Sequence, residues 1–547
     1  MENRWILIIA LIVLACVTLQ VTAYDNVKAH PIINRCAIDY FEKNIAPYDP
    51  LLKGTSIREE GNVAGYAWDY TGGDSRVRIG GRDSISKPKD KHLVDWIVDG
   101  GFSADEPEYT MALVHFYDPK NPYKAYLTDQ QFLVKFGELY WDGQLINPEI
   151  SAVDWAFDRD LGSGYYIQDY SWNDGLRYYR EALASPSCCN EKYGQAWRAV
   201  GETMHLISDM TVPAHVRNDG HAWSDPYEDS VSKGMVEKYY DSWRNALPDG
   251  GQPLPLNYDQ GTLRDLMVRI ATKVNEEFYS ADTTPTGYRV SGSDSFSYTP
   301  GRYSQPSLKG LTADANGYYY SPVAGALARE VLYYCKPTSP PKYTYTDPNA
   351  NPIVLVYGYN LDEKVLTAQR RVLIPTAIRA SAEVLDRFLP RFEATLLIDK
   401  TDPDNPNSPY FVDSTLMQVR TNPDAWSGYD DLIVRNGAYI AWIPPGSDKV
   451  KYSEAMLLGP DNRYNNIMTF EPGTKVYMYY DLGGYVIKSN EVVIPKVTPT
   501  TPDMDWEREP WVETTYDPTI RMCGDIPCSQ LPSPGRVSPD WTPPPRQ

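Results

Sequence analysis

The sequence is short of positive charge and of histidine. Its 547 residues include 52 Lys and Arg against 72 Asp and Glu, which gives a net charge of −20, and only six histidines. Nucleic-acid affinity depends largely on contacts between phosphates and Lys or Arg, so this balance disfavours a protein that tracks a nucleic-acid backbone. It does not exclude a compact metal site that acts on one phosphodiester. Because histidine is scarce, a place where histidines gather becomes a candidate site.

Long apolar runs are also missing, except near the start of the chain. The run 5–19 is shorter than the ~20 residues that a membrane-spanning helix needs. Arg4 precedes the run and Val21-Thr22-Ala23 follows it, a pattern typical of a secretory signal cleaved after Ala23. We therefore expect a secreted, extracellular protein whose mature chain begins at Tyr24. A retained membrane anchor and a lipidated Cys16 are the alternatives.

Cysteine is rare as well. Of seven cysteines, six remain after removal of the signal: Cys36, Cys188, Cys189, Cys335, Cys523 and Cys528. An even number in an exported chain favours disulfides. Cys523 and Cys528 are the easiest local pair, and the sequence leaves the rest of the pairing open.

A long helical pattern follows the signal peptide (1–23). Within the segment 191–210, apolar residues recur at steps of three and four: Trp197, Val200, Met204 and Ile207. This stripe is typical of a helix packed on a core. The segment 361–392 repeats it, and Pro375 inside that segment predicts a kink or a break. Because few alternating patterns occur earlier, we predict a mainly α N-terminal domain over residues 24–394.

After residue 392 the pattern changes to alternation. The segments 394–400, 431–445 and 474–495 are typical of strands, and Asn436-Gly437 has the chemistry of a tight hairpin turn. We predict a β-sandwich-like C-terminal domain over residues 395–496. A Pro-rich tail follows over residues 497–547.

Three of the six histidines gather in one short stretch. His205 and Asp209 are four residues apart in the helical pattern, so they project from one face, one turn apart. Pro213 ends the helix, which allows the chain to bring His215 back over that face, and His221 follows on a loop. Imidazoles and carboxylates in this mixture suit zinc, and their number suits more than one ion. The alternative is that these histidines are core residues satisfied by hydrogen bonds and bind no metal. That alternative leaves their ordered spacing unexplained.

Further acceptors lie before and after this stretch. His30 lies six residues beyond Tyr24, Asp105 precedes His115 by ten residues, and Asp225 and Glu228 follow His221. The ordered set resembles the zinc-dependent phospholipase C family, which is related in fold to the single-strand-specific secreted zinc nucleases. The resemblance covers residues 24–390 and implies a helical domain that holds three zinc ions.

The resemblance also implies a place for each ligand. The first ion would be held by Asp105, His115, His205 and Asp209. The second would be held by His215, His221 and Glu228. The third would be held by Asp209 as a bridge, His30, and the amino group and carbonyl of Tyr24. The amine of Tyr24 exists only after signal cleavage and binds only when deprotonated.

Three features depart from the family pattern. Tyr24 stands where tryptophan is usual, although its backbone supplies the same ligand atoms. The acid after His221 usually lies one helical turn later, which is the spacing of Asp225, so Asp225 and Glu228 compete for that position. The segment 105–115 is shorter than in the phospholipases, where it helps to form the headgroup pocket, so a choline preference is not implied.

The function implied is a zinc-dependent phosphoric diester hydrolase, a phospholipase C that cleaves phospholipids to diacylglycerol and a phosphorylated headgroup. Zinc lowers the pKa of a bound water to about 7, and Asp105 would orient or deprotonate that water. One alternative is a zinc-dependent nuclease or nucleotidase, and another is a non-catalytic, zinc-stabilised surface binding protein. The β-domain, which has no histidine, is expected to contact a membrane or cell surface.

Overall fold

A computed structural model describes most of the chain up to residue 495 and two short pieces beyond it. The described residues are 29–52, 55–57, 62–68, 86–106, 111–140, 147–158, 161, 168–185, 191–221, 225–232, 251–290, 296–299, 303–334, 354–405, 407–419, 432–495, 522–523 and 526–527. The expected signal peptide and Tyr24 lie outside them. So do four of the cysteines discussed above: Cys188, Cys189, Cys335 and Cys528.

The chain divides into two compact units, 1–496 and 497–547. In the second unit the described residues form a pair of two-residue antiparallel strands, β17 (Met522–Cys523) and β18 (Ile526–Pro527). Across the described part of the chain, no helix has both the length and the apolar character needed to cross a membrane.

Helices dominate the first half of the larger unit. The α-helices within the described residues are α1 (His30–Asn44), α2 (Leu93–Ser103), α3 (Gln130–Tyr140), α4 (Ala152–Phe157), α5 (Trp172–Ala184), α6 (Lys192–Asp209), α7 (Pro213–Val216), α8 (Pro226–Ser232), α9 (Leu263–Glu277) and α10 (Glu363–Phe388). Short 3-10 helices lie at Ala46–Tyr48, Ala112–Val114, Pro122–Lys124 and Ala281–Thr283. The helix predicted from the apolar stripe in segment 191–210 is confirmed as α6. It is buried on all sides because α1, α2, α4, α5 and α10 pack against it.

Polar side chains define where several helices begin. Ser151, Ser171, Thr262 and Asp362 each accept a hydrogen bond from a backbone N–H in the first turn of the following helix. The break that Pro375 predicts does not occur, since α10 continues through it. Pro375 is buried in a helix that packs against α1, α6 and α9, and this packing offsets the ~3 kcal/mol cost of an internal proline.

Helices make up most of the regular structure in the described part of residues 24–394, as predicted, but this region also contains two antiparallel sheets that the sequence did not predict. A five-stranded antiparallel sheet lies between α9 and α10, in the order β5-β4-β8-β7-β6. Its strands are β4 (Thr286–Val290), β5 (Phe296–Thr299), β6 (Tyr318–Ser321), β7 (Gly325–Tyr334) and β8 (Val354–Asn360). A smaller pair, β2 (Val63–Trp68) and β3 (Ser86–Lys91), lies between α1 and α2. These strands carry no clean alternation of apolar and polar residues, which is why pattern alone misses them.

Antiparallel sheets also make up the C-terminal part of the larger unit. The strands are β9 (Phe392–Lys400), β10 (Tyr410–Gln418), β11 (Ala438–Ile443), β12 (Lys451–Tyr452), β13 (Tyr464–Met468), β14 (Lys475–Leu482), β15 (Tyr485–Lys488) and β16 (Val492–Val493). One sheet has the order β13-β10-β9, and the other has β15-β14-β11-β12 with β16 beside β14. The sheets contact each other where the Ser414 and Tyr480 hydroxyls lie 2.6 Å apart. A strand from the N-terminal half, β1 (Thr55–Ile57), pairs with β15 and extends the second sheet.

The hairpin predicted at Asn436-Gly437 is wrong. The described residues immediately before this pair, 432–435, form no strand, and β11 begins just after it. Asn436 is buried, and its Nδ2 donates to the carbonyl oxygen of Ala182 on α5 at 3.2 Å. A two-residue hairpin turn is found instead at Gly483-Gly484, between the paired residues Leu482 and Tyr485. The φ angles of the two glycines are 73° and 96°, as such a turn requires.

This turn holds the β-sheet against the helices. Trp197 of α6 donates from its indole Nε1 to the Gly483 carbonyl oxygen at 2.8 Å, and the Tyr179 hydroxyl of α5 donates to the Leu482 carbonyl at 3.2 Å. The helix that bears His205 and Asp209 is therefore supported by this turn, by β2 and by other helices.

Candidate metal centre

Two helices bring the centre of the site together at close range. His205 and Asp209 lie one turn apart at the C-terminal end of α6, and both are fully buried. The neighbouring helix α2 passes so near that a Cβ on Gly100 would lie 2.7 Å from Cα of Gly201 on α6. Only glycine allows such an approach. It places the carbonyl oxygen of Gly101 2.7 Å from Nδ1 of His205.

Asp209 faces four imidazole rings. Its Oδ1 lies 3.3 Å from Nε2 of His30 and 3.4 Å from Nδ1 of His215. Its Oδ2 lies 3.2 Å from Nδ1 of His115 and 3.4 Å from Nε2 of His205. At 3.2–3.4 Å these contacts are longer than charge-assisted hydrogen bonds, so the four rings satisfy the carboxylate only weakly. Asp209 thus lies between groups of donors, where the resemblance places a bridging ligand.

The first predicted group is assembled from three separate segments. Asp105 lies just beyond the end of α2, His115 follows a short 3-10 helix, and His205 comes from α6. Oδ1 of Asp105 is 2.9 Å from Nδ1 of His115, and Oδ2 is 3.5 Å from Nε2 of His205. One donor atom from each of the three residues lies within 4.8 Å of the others. The arrangement is compact enough for one ion.

The second predicted group follows α6 along the chain. His215 lies on α7, His221 on the next loop, and Glu228 in the first turn of α8. The Glu228 carboxylate lies 3.2 Å from Nε2 of His215 and 2.8 Å from Nε2 of His221. The two rings stack with centroids 5.3 Å apart, and Phe116 packs 4.8 Å from the His215 ring.

The third predicted group is present without its N-terminal member. His30 is the first residue of α1, is fully buried, and stacks on His205 with ring centroids 3.6 Å apart. Donor atoms of His30, His205 and Asp209 lie within 4.8 Å of one another. Tyr24 lies outside the described residues, and His205, a member of the first group, also lies close to His30 and Asp209.

The geometry separates the two acids that compete for the last position. Asp225 is buried at the start of α8, and its Oδ1 accepts hydrogen bonds from the backbone N–H groups of Tyr227 and Glu228 at 2.9 and 3.1 Å. This is the geometry of a helix N-cap. Glu228 instead directs its carboxylate at both His215 and His221. The cap explains why Asp225 has the expected spacing without facing the histidines.

Burial and mutual charge shift the pKa values across the cluster. Burial, with the neighbouring His205, lowers the pKa of His30 to about 4. At His115 and His221 burial acts in the same direction, but Asp105 and Glu228 respectively outweigh it and raise the pKa to about 10. Burial alone would raise the pKa of Glu228, whereas His221 and His215 lower it to about 2. The histidines likewise hold the pKa values of Asp105 and Asp209 below the usual value, so Asp105, Asp209 and Glu228 are ionised at neutral pH.

One further residue packs against the site, and the sixth histidine belongs to none of its groups. Phe116 packs against the rings of both His215 and His221, and its signal in the sequence is only that it follows the ligand candidate His115. His92, the sixth histidine, lies at the N-cap position of α2 and belongs to none of the three groups.

The donor set fits zinc. It consists of imidazole nitrogens and carboxylate oxygens, the mixture that zinc prefers, and the carboxylates of Asp105, Asp209 and Glu228 all lie against histidines. Buried carboxylate oxygens of Asp105 and Asp209 have no hydrogen-bond partner among the described residues, which a cation would relieve. The described site therefore holds three groups of residues that can each bind a metal ion.

Comparisons with known proteins add little to this geometry. A scan against protein-family models finds no match, and a search of curated proteins finds none. Among solved structures, the alpha toxin from Clostridium absonum aligns with a TM-score of 0.27 and 10% identity over 87% of this chain and 96% of its own. An alpha-toxin of Clostridium perfringens from an avian strain aligns with a TM-score of 0.24 and 8% identity, over 87% and 97%. Alignments at this level carry no argument about fold or function.

Proposed function

We propose that this protein is a secreted zinc-dependent phosphodiester hydrolase, and specifically a phospholipase C that releases diacylglycerol and a phosphorylated headgroup. The observation that carries the proposal is the convergence of three groups of buried histidines and acids around one carboxylate, Asp209. Closely spaced metal ions are the usual means by which proteins grip and hydrolyse a phosphodiester. The order of the ligands along the chain supports the phospholipase C assignment.

In this proposal the ligands keep the assignment implied by the sequence, with Glu228 as the last one and up to three zinc ions in all. When bound, zinc supplies a Lewis acid that activates water and stabilises charge on the phosphate oxygens. Asp105 also orients the attacking water and accepts its proton. Burial opposes ionisation of Asp105, but His205 and His115 hold its pKa below the usual value, so the carboxylate is ready to accept.

The substrate phosphate approaches from the side of the second group. The side chain of His221 is 9% exposed, whereas the side chains of Asp105, His115, His205, Asp209, His215 and Glu228 are at most 1% exposed. The first and third groups lie deeper. The proposed partner that enters from this side is a phospholipid or another phosphodiester.

We also propose that the mature chain begins at Tyr24 and that its amino group completes the third group beside His30. A free α-amine has a pKa near ~8 and binds zinc readily, whereas a backbone amide does not. Two alanines placed before Tyr24 should therefore lower the zinc content of this group. Equal zinc content in both chains would remove Tyr24 from the ligand set.

The test of function compares three substrates on the mature protein, with zinc and after chelation: phosphatidylcholine vesicles, single-stranded DNA and a small chromogenic phosphodiester. We expect zinc-dependent release of diacylglycerol, and a loss of about 100-fold or more in His205→Ala. His92→Ala is the matched control and should keep its rate. Cleavage of DNA without lipid hydrolysis would indicate the nuclease alternative. Bound zinc with no hydrolysis of any substrate would indicate a surface binding protein.

A further inference from the structure

Two of the candidate ligands are fixed by backbone carbonyls. Nδ1 of His205 lies 2.7 Å from the Gly101 carbonyl oxygen, and Nδ1 of His221 lies 3.0 Å from the Asp219 carbonyl oxygen. A carbonyl oxygen only accepts, so each Nδ1 carries a proton and donates it. In the neutral ring, which is the form that binds a metal, Nε2 then holds the lone pair. In both residues Nε2 is the atom that faces the cluster.

His30 is fixed in the same way, but by a side chain. Its Nδ1 lies 2.8 Å from Oγ of Ser208, a buried residue of α6 between His205 and Asp209. Oγ of Ser208 in turn lies 2.7 Å from the His205 carbonyl oxygen and donates its single proton to it. Only lone pairs of Oγ remain for His30, so Nδ1 of His30 is the donor.

This chain of hydrogen bonds sets which nitrogen of His30 can bind a metal. With the proton held on Nδ1, Nε2 of His30 presents its lone pair toward Oδ1 of Asp209, 3.3 Å away. Without the Ser208 oxygen, Nδ1–H would lose a buried acceptor, which is costly, and the proton would move to Nε2 and bond to Asp209. That tautomer points a proton at the position of the ion.

We propose that Ser208 is a positioning residue that fixes the tautomer and ring orientation of His30 and thereby sets the zinc affinity of the third group. The effect on zinc rests on the function proposed above, whereas the effect on the tautomer does not. Among the three Nδ1 acceptors, the Ser208 hydroxyl is the one that a side-chain substitution removes. Loss of a partner that orients a ligand typically lowers metal affinity about 10–100-fold.

The experiment compares Ser208→Ala with Ser381→Ala in the mature full chain. Ser381 is a matched control because it is buried, lies on α10, and donates to the Met204 carbonyl oxygen of α6 at 3.4 Å. Zinc affinity is measured by competition with a chromogenic chelator. We expect one zinc per chain to lose about 10–100-fold in affinity in Ser208→Ala. Ser381→Ala should stay within about twofold of the native protein. Ser208→Thr keeps a hydroxyl that can bond the same helical carbonyl, so it should recover most of the affinity.

A second readout does not need zinc. Since the chain has only six histidines, selective labelling with ¹⁵N-histidine resolves the ring nitrogens of the zinc-free protein. His30 should be protonated on Nδ1 in the native protein and in Ser381→Ala, and on Nε2 to a large extent in Ser208→Ala. Unchanged affinity and an unchanged His30 tautomer in Ser208→Ala would overturn the proposal, as would equal losses of affinity in Ser208→Ala and Ser381→Ala. If the native protein binds no zinc, the proposed function fails, and the ¹⁵N spectra still decide whether Ser208 fixes His30.

Discussion

At the scale of single residues, either protons on the histidines or metal ions can balance the negative charge of the buried carboxylates. In the zinc-free protein the acids Asp105 and Glu228 raise the pKa values of His115 and His221 to about 10, although burial acts against this. Zinc binds only neutral imidazole, so it must displace these protons. His30, with a pKa lowered to about 4 chiefly by burial, is already neutral and needs no such displacement.

Zinc should therefore stabilise the protein more as the pH rises. In the zinc-free protein, the raised pKa values of His115 and His221 contribute stability that is fully present below about pH 6.5 and is lost as the pH rises to about 10. Bound zinc replaces the same protons, so its contribution grows over that interval. Melting temperatures with zinc and with chelator, measured from about pH 6 to about pH 9, should diverge by several degrees. A difference that is constant or that shrinks with pH would contradict this assignment of charges.

Substitutions at Glu228 and Asp225 test which of these two acids is the metal ligand and which is the helix cap. Glu228→Gln keeps the shape of the side chain but removes the charge between His215 and His221, so we expect loss of one zinc per chain and about a 100-fold loss of activity. Asp225→Asn should keep its zinc because asparagine caps a helix as well as aspartate does. Zinc stoichiometry and phosphodiesterase rate are the measurements. The reverse pattern would return Asp225 to the ligand set.

At the scale of elements, the glycine turn between β14 and β15 controls how closely the sheet approaches α6. At Gly483, φ is 73° and a Cβ would lie 2.3 Å from the ring of Tyr193 on α6. Gly446 has a similar φ of 71°, but a Cβ there would meet nothing within 4 Å. Both positions have a left-handed backbone that would strain any residue other than glycine, and they differ in whether a Cβ would meet the helix.

This difference makes a paired prediction. Gly446→Ala should lower the free energy of unfolding by about 1–2 kcal/mol through strain alone. Gly483→Ala should cost an additional ~1–3 kcal/mol, because the new methyl group must displace the Tyr193 ring. Denaturant unfolding of the mature protein measures both. Equal costs would show that the turn does not press on α6.

At the scale of the whole molecule, the sequence predicts what is local or chemically rare. The stripe on α6 is a local period, and the ligand candidates stand out because histidine is scarce and ordered. By contrast, β1 is three residues long and pairs with β15, more than 400 residues away, so nothing in its own sequence reveals it. Likewise, β6 and β7 are rich in tyrosine without alternation, and their strand identity comes from pairing with each other and with β8.

Local chemistry also misleads where packing decides. Asn436-Gly437 has turn chemistry, yet it is used to dock a loop on α5 through the Asn436 amide. Pro375 predicts a break, yet α10 is held on both sides of it by neighbouring helices. The spacing of Asp225 fits a ligand, yet the residue caps α8. At Asn436 and Pro375 the observed structure depends on contacts with other elements of the fold. At Asp225 it depends on which of two nearby acids faces the histidines.

The exposed face of the sheet β13-β10-β9 carries several apolar side chains, which are candidates for the expected membrane contact. Leu397, Phe411, Met417 and Ile467 are 61, 39, 61 and 59% exposed, and strand register places Phe411 opposite Ile467. Single exposed apolar residues are ordinary, but a group on one face favours an apolar partner surface. Because the β14–β15 turn bonds to α6, point substitutions test this face more cleanly than deletion of the domain.

Serine at Leu397, Phe411 and Ile467 together should therefore reduce hydrolysis of phospholipid vesicles about tenfold or more through lost apolar burial, and should spare a small soluble phosphodiester. Tyr48→Ser, at an 81% exposed position on another part of the surface, is the control and should change neither rate. Equal loss on both substrates would mean that the face stabilises the fold and does not contact membranes.

The most direct test of the metal centre is the zinc content of the purified mature protein, measured by elemental analysis after equilibration with zinc and removal of unbound metal. We expect up to three zinc ions per chain, one for each proposed group of ligands. The same assignment of ligands predicts an unchanged zinc content in His92→Ala and a loss of at least one ion in His205→Ala, because His205 belongs to the first group. Less than one equivalent of any transition metal, not restored by added zinc, would contradict it.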